Sequence, residues 1–114
     1  MQLMLKSRNV ELTDSIRTYL EKKLSKLDKQ LHPSTEVEVE LAVEKNPSIA
    51  ANQIAEATVR LKGHTLRARE ASPDMKASID ELSEKLLRQI KDERDRRRDR
   101  RGPDKREAAV APLE

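Results

Sequence analysis

The chain has 114 residues, enough for one domain, and a formal net charge of +3. It contains no Cys, which excludes a disulfide framework, a thiol nucleophile and a cysteine-ligated zinc site. Tyr19 is its only aromatic residue, so the core must be built from aliphatic side chains and Met.

The first 43 residues predict a strand, a helix and a second strand. Gln2–Lys6 is a short apolar run that meets charge at Lys6, which is typical of a strand, and we expect no secretory h-region here. Thr13 is the predicted N-cap of a helix whose apolar residues recur up to His32-Pro33. Glu36–Val43 alternates between apolar residues and glutamates, which indicates a strand with one solvent-facing side.

The next segment predicts two strands and a second helix. Ile54–Leu61 and Thr65–Glu70 alternate in the same way, and Lys62-Gly63 between them is typical of a tight hairpin. Ser72 is the predicted N-cap of the second helix, with Pro73 at its first helical position. The sequence therefore predicts an α+β fold in the order β-α-β-β-β-α, with one antiparallel four-stranded sheet and both helices on one face.

The C-terminal segment is strongly charged. Residues 91–106 hold nine Lys/Arg and five Asp/Glu, a net of +4, which leaves the rest of the chain at −1. This segment is predicted either to extend the second helix into solvent or to fray. We expect one domain over residues 1–95 and a charged, disordered tail over 96–114. Leu113-Glu114 is typical of a cloning remnant, which leaves a longer natural chain open.

The charges of the predicted helices are segregated. On a helical wheel the first helix places four lysines on one side of its apolar stripe, Lys22, Lys23, Lys26 and Lys29. Its acids Glu21 and Asp28 fall on the other flank, together with Arg17. The second helix presents a basic arc away from its own apolar stripe, formed by Arg88, Lys91, Arg94 and Arg98.

A solvated surface would explain either basic face alone. Glu81 with Lys85, and Glu84 with Arg88, have the i, i+4 spacing that stabilises an exposed helix without a partner. Two such faces side by side, with Lys6 and Arg8 at the end of the first strand, favour nucleic acid, because each neutralised phosphate releases condensed counterions. Since Tyr19 falls in a buried stripe, we expect recognition of RNA backbone and shape rather than base stacking.

The sequence offers no catalytic constellation. His32 and His64 are predicted surface residues without the spacing of metal ligands. Asp80 and Glu84 lie one helical turn apart, but Lys76, Lys85 and Arg88 are expected to neutralise them. With only two glycines there is no Gly-rich phosphate loop. We therefore expect neither an enzyme nor a metal, cofactor or small-molecule site. Because no stretch is apolar enough to span a bilayer, we expect a cytoplasmic protein without membrane contact.

Three motifs resemble the ribosome hibernation promoting factors, also called ribosome-associated translation inhibitors or protein Y-like factors. Lys6–Thr13 followed by Ile16-Arg17 resembles the opening of that family, and Glu21–Leu27 resembles its first helix. The second helix is similar at Asp74-Met75, Ala77, Ile79-Asp80, Leu82, Lys85-Leu86 and Arg88-Gln89. The resemblance covers residues 2 to about 95, and Lys76 departs from it, because the family commonly has an aromatic residue after the Asp-Met pair.

The resemblance implies a fold like that of a double-stranded-RNA-binding domain. It also implies docking on the small ribosomal subunit, in the channel for messenger and transfer RNA, during stress or stationary phase. The implied rRNA contacts are Arg8, Lys22, Lys23, Lys26, Lys85, Arg88 and Lys91, and the basic arcs add Lys29 and Arg94. A homodimer is expected only if the natural chain has a further C-terminal domain.

Two other functions stay open from the sequence. One is a general double-stranded-RNA-binding module that serves a different RNA. The other is an adaptor that binds an acidic protein through the basic helices. Sedimentation with ribosomal subunits would separate the three hypotheses.

Overall fold

The computed structural model describes residues 1–46 and 48–100, which form one four-stranded sheet and two helices. The elements are β1 (Gln2–Arg8), α1 (Asp14–Asp28), β2 (Glu36–Val43), β3 (Gln53–Leu61), β4 (His64–Ser72) and α2 (Met75–Arg100). This order confirms the predicted α+β class. The predicted hairpin is also present, with Leu61 opposite His64 and with Gly63 at a φ of 75°, a backbone conformation that glycine adopts readily.

The sheet is mixed, and the prediction of an antiparallel sheet is wrong for its first strand. The strands lie in the order β1-β2-β3-β4, and β1 runs parallel to β2 with Gln2 opposite Glu36. The other two pairings are antiparallel. The reason is the connection, because a helix that crosses over one face of a sheet returns the chain in its original direction.

The two faces of the sheet differ as the alternation predicts. Val37 and Val39 are fully buried and Leu41 nearly so, and they join a core that includes Leu20 and Leu24 of α1. The opposite face carries charged side chains, among them Glu36, Glu38, Arg60 and Lys6. Both helices therefore cover one face, and the other face is left open.

The start of α1 agrees with prediction, whereas its end does not. The Thr13 hydroxyl accepts a hydrogen bond from the Ile16 amide at 3.2 Å, as an N-cap should. The helix ends at Asp28 rather than at His32, because Lys29 caps it and the Gln30 amide donates to the Leu27 carbonyl in a tighter turn. Leu31 lies beyond the helix and still packs against the core.

The N-cap of α2 is Asp74, so the prediction of Ser72 in this role is wrong. The Asp74 carboxylate accepts from the Ala77 amide at 3.1 Å. Ser72 instead ends β4 and bonds the Ser78 hydroxyl, which donates in turn to the carbonyl of Gln53 at 2.6 Å. A serine can cap a helix or join a buried polar network, and here the buried network and the stronger acceptor two residues later decide its role.

Helix α2 extends well beyond its last apolar residue. Ile90 is 4% exposed, and α2 then continues to Arg100, which is the first of the two predicted alternatives for the charged segment. The helix thus passes residue 95, the predicted end of the domain, while positions 101–114 of the predicted tail lie outside the described residues. Within the described part of the chain, neither helix is long and apolar enough to cross a membrane.

Candidate nucleic-acid interface

The two helices lie side by side and run in the same direction. Near their starts the Tyr19 hydroxyl of α1 reaches Asp80 of α2, and farther along Gln30, just past α1, accepts a hydrogen bond from Arg94. Contacts that advance along both elements in the same sense require a parallel pair. A single outward surface therefore spans the seam between α1 and α2.

The lysine arc of α1 forms half of this surface. Lys22, Lys26 and Lys29 are exposed, while Lys23 is turned toward the seam and keeps 33% of its side chain exposed. The acids of the opposite flank face away from α2, since Asp28 pairs with the amino group of Met1 at the edge of the sheet. The predicted segregation of charge along α1 is thus present in the fold.

The exposed basic residues of α2 lie on its α1 side and on its outer side. Arg94 faces α1 through Gln30, and Lys91, three residues earlier, is exposed on the same side of the helix. Arg88 is exposed on the outer side of α2. The helix-pair surface comprises one partly exposed residue, Lys23, and six exposed ones, Lys22, Lys26, Lys29, Arg88, Lys91 and Arg94.

Three other predicted site residues need separate statements. Lys85 pairs with Glu70 of β4 at 3.1 Å rather than with Glu81, which turns it to the flank of α2 remote from α1. Arg98 lies within α2, and its side chain is outside the described part of the structure. Arg8 ends β1, where strand alternation places it on the open face of the sheet together with Lys6.

The open face does not continue the helix-pair surface. Lys6 forms a 2.6 Å ion pair with Glu38, and Arg60 reaches both Glu36 and Glu38. The hydrogen bond and charge of Lys6 lower the pKa of Glu38 below its usual value. Lys6 and Arg8 therefore lie on the face of the sheet opposite the helices, and the rRNA contact expected of Arg8 stays a prediction.

Tyr19, Lys23 and Asp80 form a cluster at the seam that the sequence did not predict. The Tyr19 hydroxyl donates to Oδ1 of Asp80 at 2.6 Å, and Nζ of Lys23 lies 3.2 Å from the same oxygen. Asp80 is thus neutralised by α1, not by the lysines and arginine of its own helix as predicted. Tyr19 packs against the core as expected but is only partly buried, with its hydroxyl at the seam.

The seam cluster changes the acidity of its members. The hydrogen bond from Tyr19 has the largest effect and lowers the pKa of Asp80. Burial opposes it, and the hydrogen bond and charge of Lys23 lower the pKa further. The same carboxylate raises the pKa of Tyr19 and of Lys23. At neutral pH the cluster therefore holds one anion, one cation and a neutral phenol.

The histidines and the clefts of the structure are the other candidates for binding sites. His32 is exposed and bonds Ser34, and His64 keeps 45% of its side chain exposed, as predicted for surface histidines. A cleft of about 620 Å³ opens at the end of the helices, with Leu31, Leu61 and Ile90 among its lining residues. In the described ranges, no group of three or more His, Asp or Glu side chains could hold a metal ion.

Known proteins resemble this chain over most of its length. The family model described as sigma 54 modulation protein / S30EA ribosomal protein matches residues 3–98. A ribosome hibernation promotion factor from Picosynechococcus is 39% identical over 92 residues, which are 80% of this chain and 48% of the relative. A ribosome hibernation promoting factor from Salmonella typhimurium is 34% identical over 84% of this chain and 96% of its own length.

Solved structures agree with the sequence relatives. The N-terminal domain of Thermus thermophilus Protein Y has a TM-score of 0.68 and 35% identity, and the match covers 80% of this chain and 97% of that domain. A ribosomal subunit interface protein from Coxiella burnetii has the same TM-score at 24% identity, which shows the shared fold. The chain spans about half the length of several curated relatives, including those from Picosynechococcus and Lactococcus lactis.

Proposed function

Because the chain belongs to the sigma 54 modulation protein / S30EA ribosomal protein family, we propose that it is a ribosome hibernation factor. In this proposal it docks on the small ribosomal subunit in the cytoplasm and contacts rRNA through the helix-pair surface. It inhibits translation under stress or in stationary phase by occupying the channel for messenger and transfer RNA.

The observation that carries the proposal is the exposed lysine arc of α1 beside the basic residues of α2. Lys22, Lys26 and Lys29 are exposed on one helix, and Lys91 and Arg94 lie on the adjoining side of the other. A packed core holds both helices, so binding loses little conformational entropy. Phosphate groups are the ligands that such a rigid basic surface favours.

The proposed mechanism is steric. A 15-residue helix such as α1 is about 22 Å long, and two parallel helices form a body that can fill a groove built for RNA. The only aromatic side chain, Tyr19, is partly buried and bonded to Asp80, so the surface is suited to the RNA backbone rather than to stacked bases. Inhibition of this kind is competitive, reversible and weakened by salt.

The test follows transfer RNA on purified small subunits. We expect saturating protein to displace bound transfer RNA, and dilution to restore its binding while the rRNA stays intact. A translation extract titrated in parallel should lose activity over the same range of protein concentration. Full transfer-RNA occupancy on a protein-saturated subunit would contradict channel blocking and would leave a general RNA-binding module.

The remaining alternative is an adaptor for an acidic protein. Competition with an unrelated RNA duplex separates it from the proposed function. An adaptor should keep its acidic protein partner when excess duplex is present. Binding to rRNA should be partly competed by duplex at low salt, while the fraction bound at the specific site should persist.

A further inference from the structure

Lys76 is a basic residue of the seam that the proposed interface does not yet include. It is exposed in the first turn of α2, and its Nζ lies 5.3 Å from the centre of the Tyr19 ring. Nζ of Lys23 lies 5.5 Å from the same ring centre. One tyrosine thus gathers one ammonium group from each helix, in the range where cations are attracted to an aromatic ring.

Asp80 positions Lys23 without cancelling the positive charge of the two lysines. The carboxylate contacts Lys23 and accepts the Tyr19 hydroxyl, so it uses one of the three N–H donors of that lysine. Two lysines and one acid leave a net charge of +1 at this point of the seam. Lys26 adds a positive charge that acts on Asp80, and Glu84 adds a negative charge that acts on Lys23. These two charges offset each other.

From this arrangement we propose that Lys23 and Lys76 form a paired anion site at the α1–α2 seam, which takes one phosphate group of the RNA backbone. Both ammonium groups lie within 5.5 Å of the centre of the Tyr19 ring, and Asp80 fixes the position of Lys23. The inference rests on the proposed ribosome binding and adds Lys76 to its contacts. Ammonium groups held in advance lose less rotamer freedom when a phosphate arrives.

The salt dependence of binding counts the phosphate contacts. Affinity for purified small subunits should be measured between about 50 and 300 mM potassium chloride, a roughly sixfold range, for wild type, Lys23→Gln, Lys76→Gln and the double variant. Each single variant should lose about twofold to fivefold in affinity. Its log–log salt slope should stay near that of wild type, because the remaining lysine still neutralises the phosphate.

The double variant should reduce the slope by about 0.7–0.9, the value of one phosphate contact. Lys45→Gln, an exposed lysine of the β2–β3 connection, is the matched control and should change neither quantity. An unchanged slope in the double variant would overturn the site, and a reduction of about 1.4–1.8 would show two separate contacts. Failure of the wild-type protein to bind subunits would instead overturn the proposed function.

Discussion

Asp80 is one of the residues at which the two helices meet. It lies on α2, yet its partners Tyr19 and Lys23 are both on α1. Its side chain is 38% exposed, so water screens the ion pair and limits its contribution to stability to less than about 1 kcal/mol. Its larger role is geometric, because one carboxylate oxygen of α2 holds both Lys23 and Tyr19 of α1 against the second helix.

The lowered pKa of Asp80 predicts an effect of pH on stability. Its ordinary pKa is 3.8 and the folded value is lower, so its contribution is present above about pH 4 and is lost as pH falls through the folded pKa. Asp80→Asn should melt a few degrees below wild type at pH 7. This difference should shrink as the pH is lowered below 4.

Thermal melts of both proteins between pH 2.5 and 7 check this expectation, with intervals chosen to bracket the carboxylate titration. The control is Glu81→Gln, which removes an exposed acid next to Asp80 in the sequence and should melt with wild type throughout. A difference between wild type and Asp80→Asn that stays constant down to the lowest pH would show that the charge of Asp80 contributes nothing.

At the scale of the elements, the periodicity of apolar residues predicted which segments form strands and which form helices. The alternation of Glu36–Val43 located β2 to the residue, and the lysine arc of α1 was visible on a wheel. The pairing between elements was harder to predict, because the sequence of β1 by itself does not indicate whether the neighbouring strand runs parallel or antiparallel. The direction of β1 could have been inferred from the helix between it and β2, because a helical crossover joins parallel strands.

The seam cluster shows the same limit for the site. Tyr19 and Asp80 are 61 residues apart, and each has an adequate local explanation, one as an apolar stripe residue and the other as a neutralised helix acid. Their contact depends on how α2 is rotated against α1, which the packing of both helices on the sheet decides. The sequence signal for this cluster was that Tyr19 and Lys23 lie on the same flank of α1, one helical turn apart.

The weight of α1 against the C-terminal tail can be tested directly. Changing Lys22, Lys26 and Lys29 together to Gln should weaken subunit binding more than deleting residues 103–114, because the helical lysines are held by a packed element. The loss should be at least tenfold if each lysine contributes about 0.5–1 kcal/mol.

Three other substitutions provide the matched control. Arg17→Gln, Lys45→Gln and Arg69→Gln remove the same total charge from exposed positions outside the helix-pair surface. Equal losses in the two triple variants would mean that net charge alone determines binding. A greater loss from the deletion would move the main contact to the tail.

At the scale of the whole molecule, α2 is both a core element and a long charged extension. Ile90 is 4% exposed and Glu93 is 6% exposed, so the packed part of the helix ends near them. A chain that ends after Arg96 should melt within about 2 °C of the full chain. A chain that ends after Gln89 should lose about 1.5–3 kcal/mol with Ile90 and melt at least 5 °C lower.

Calorimetry of the two truncated chains checks this boundary of the folded unit. If both melt with the full chain, the last turns of the packed helix contribute nothing. If the chain that ends after Arg96 also melts well below the full chain, the stable domain extends past residue 95. The predicted domain, residues 1–95, is then too short.

The parallel pairing of β1 with β2 has a consequence during synthesis of the chain. Gln2 pairs with Glu36, so the first strand leaves the ribosome 34 residues before its partner. At 5–20 residues per second this interval lasts about 2–7 s, long enough for α1 to form many times over. The hairpins of β2, β3 and β4 need only local contacts, whereas β1 must be recaptured from a distance. We therefore expect the nascent chain to fold around its centre first, with its beginning among the last segments to be incorporated.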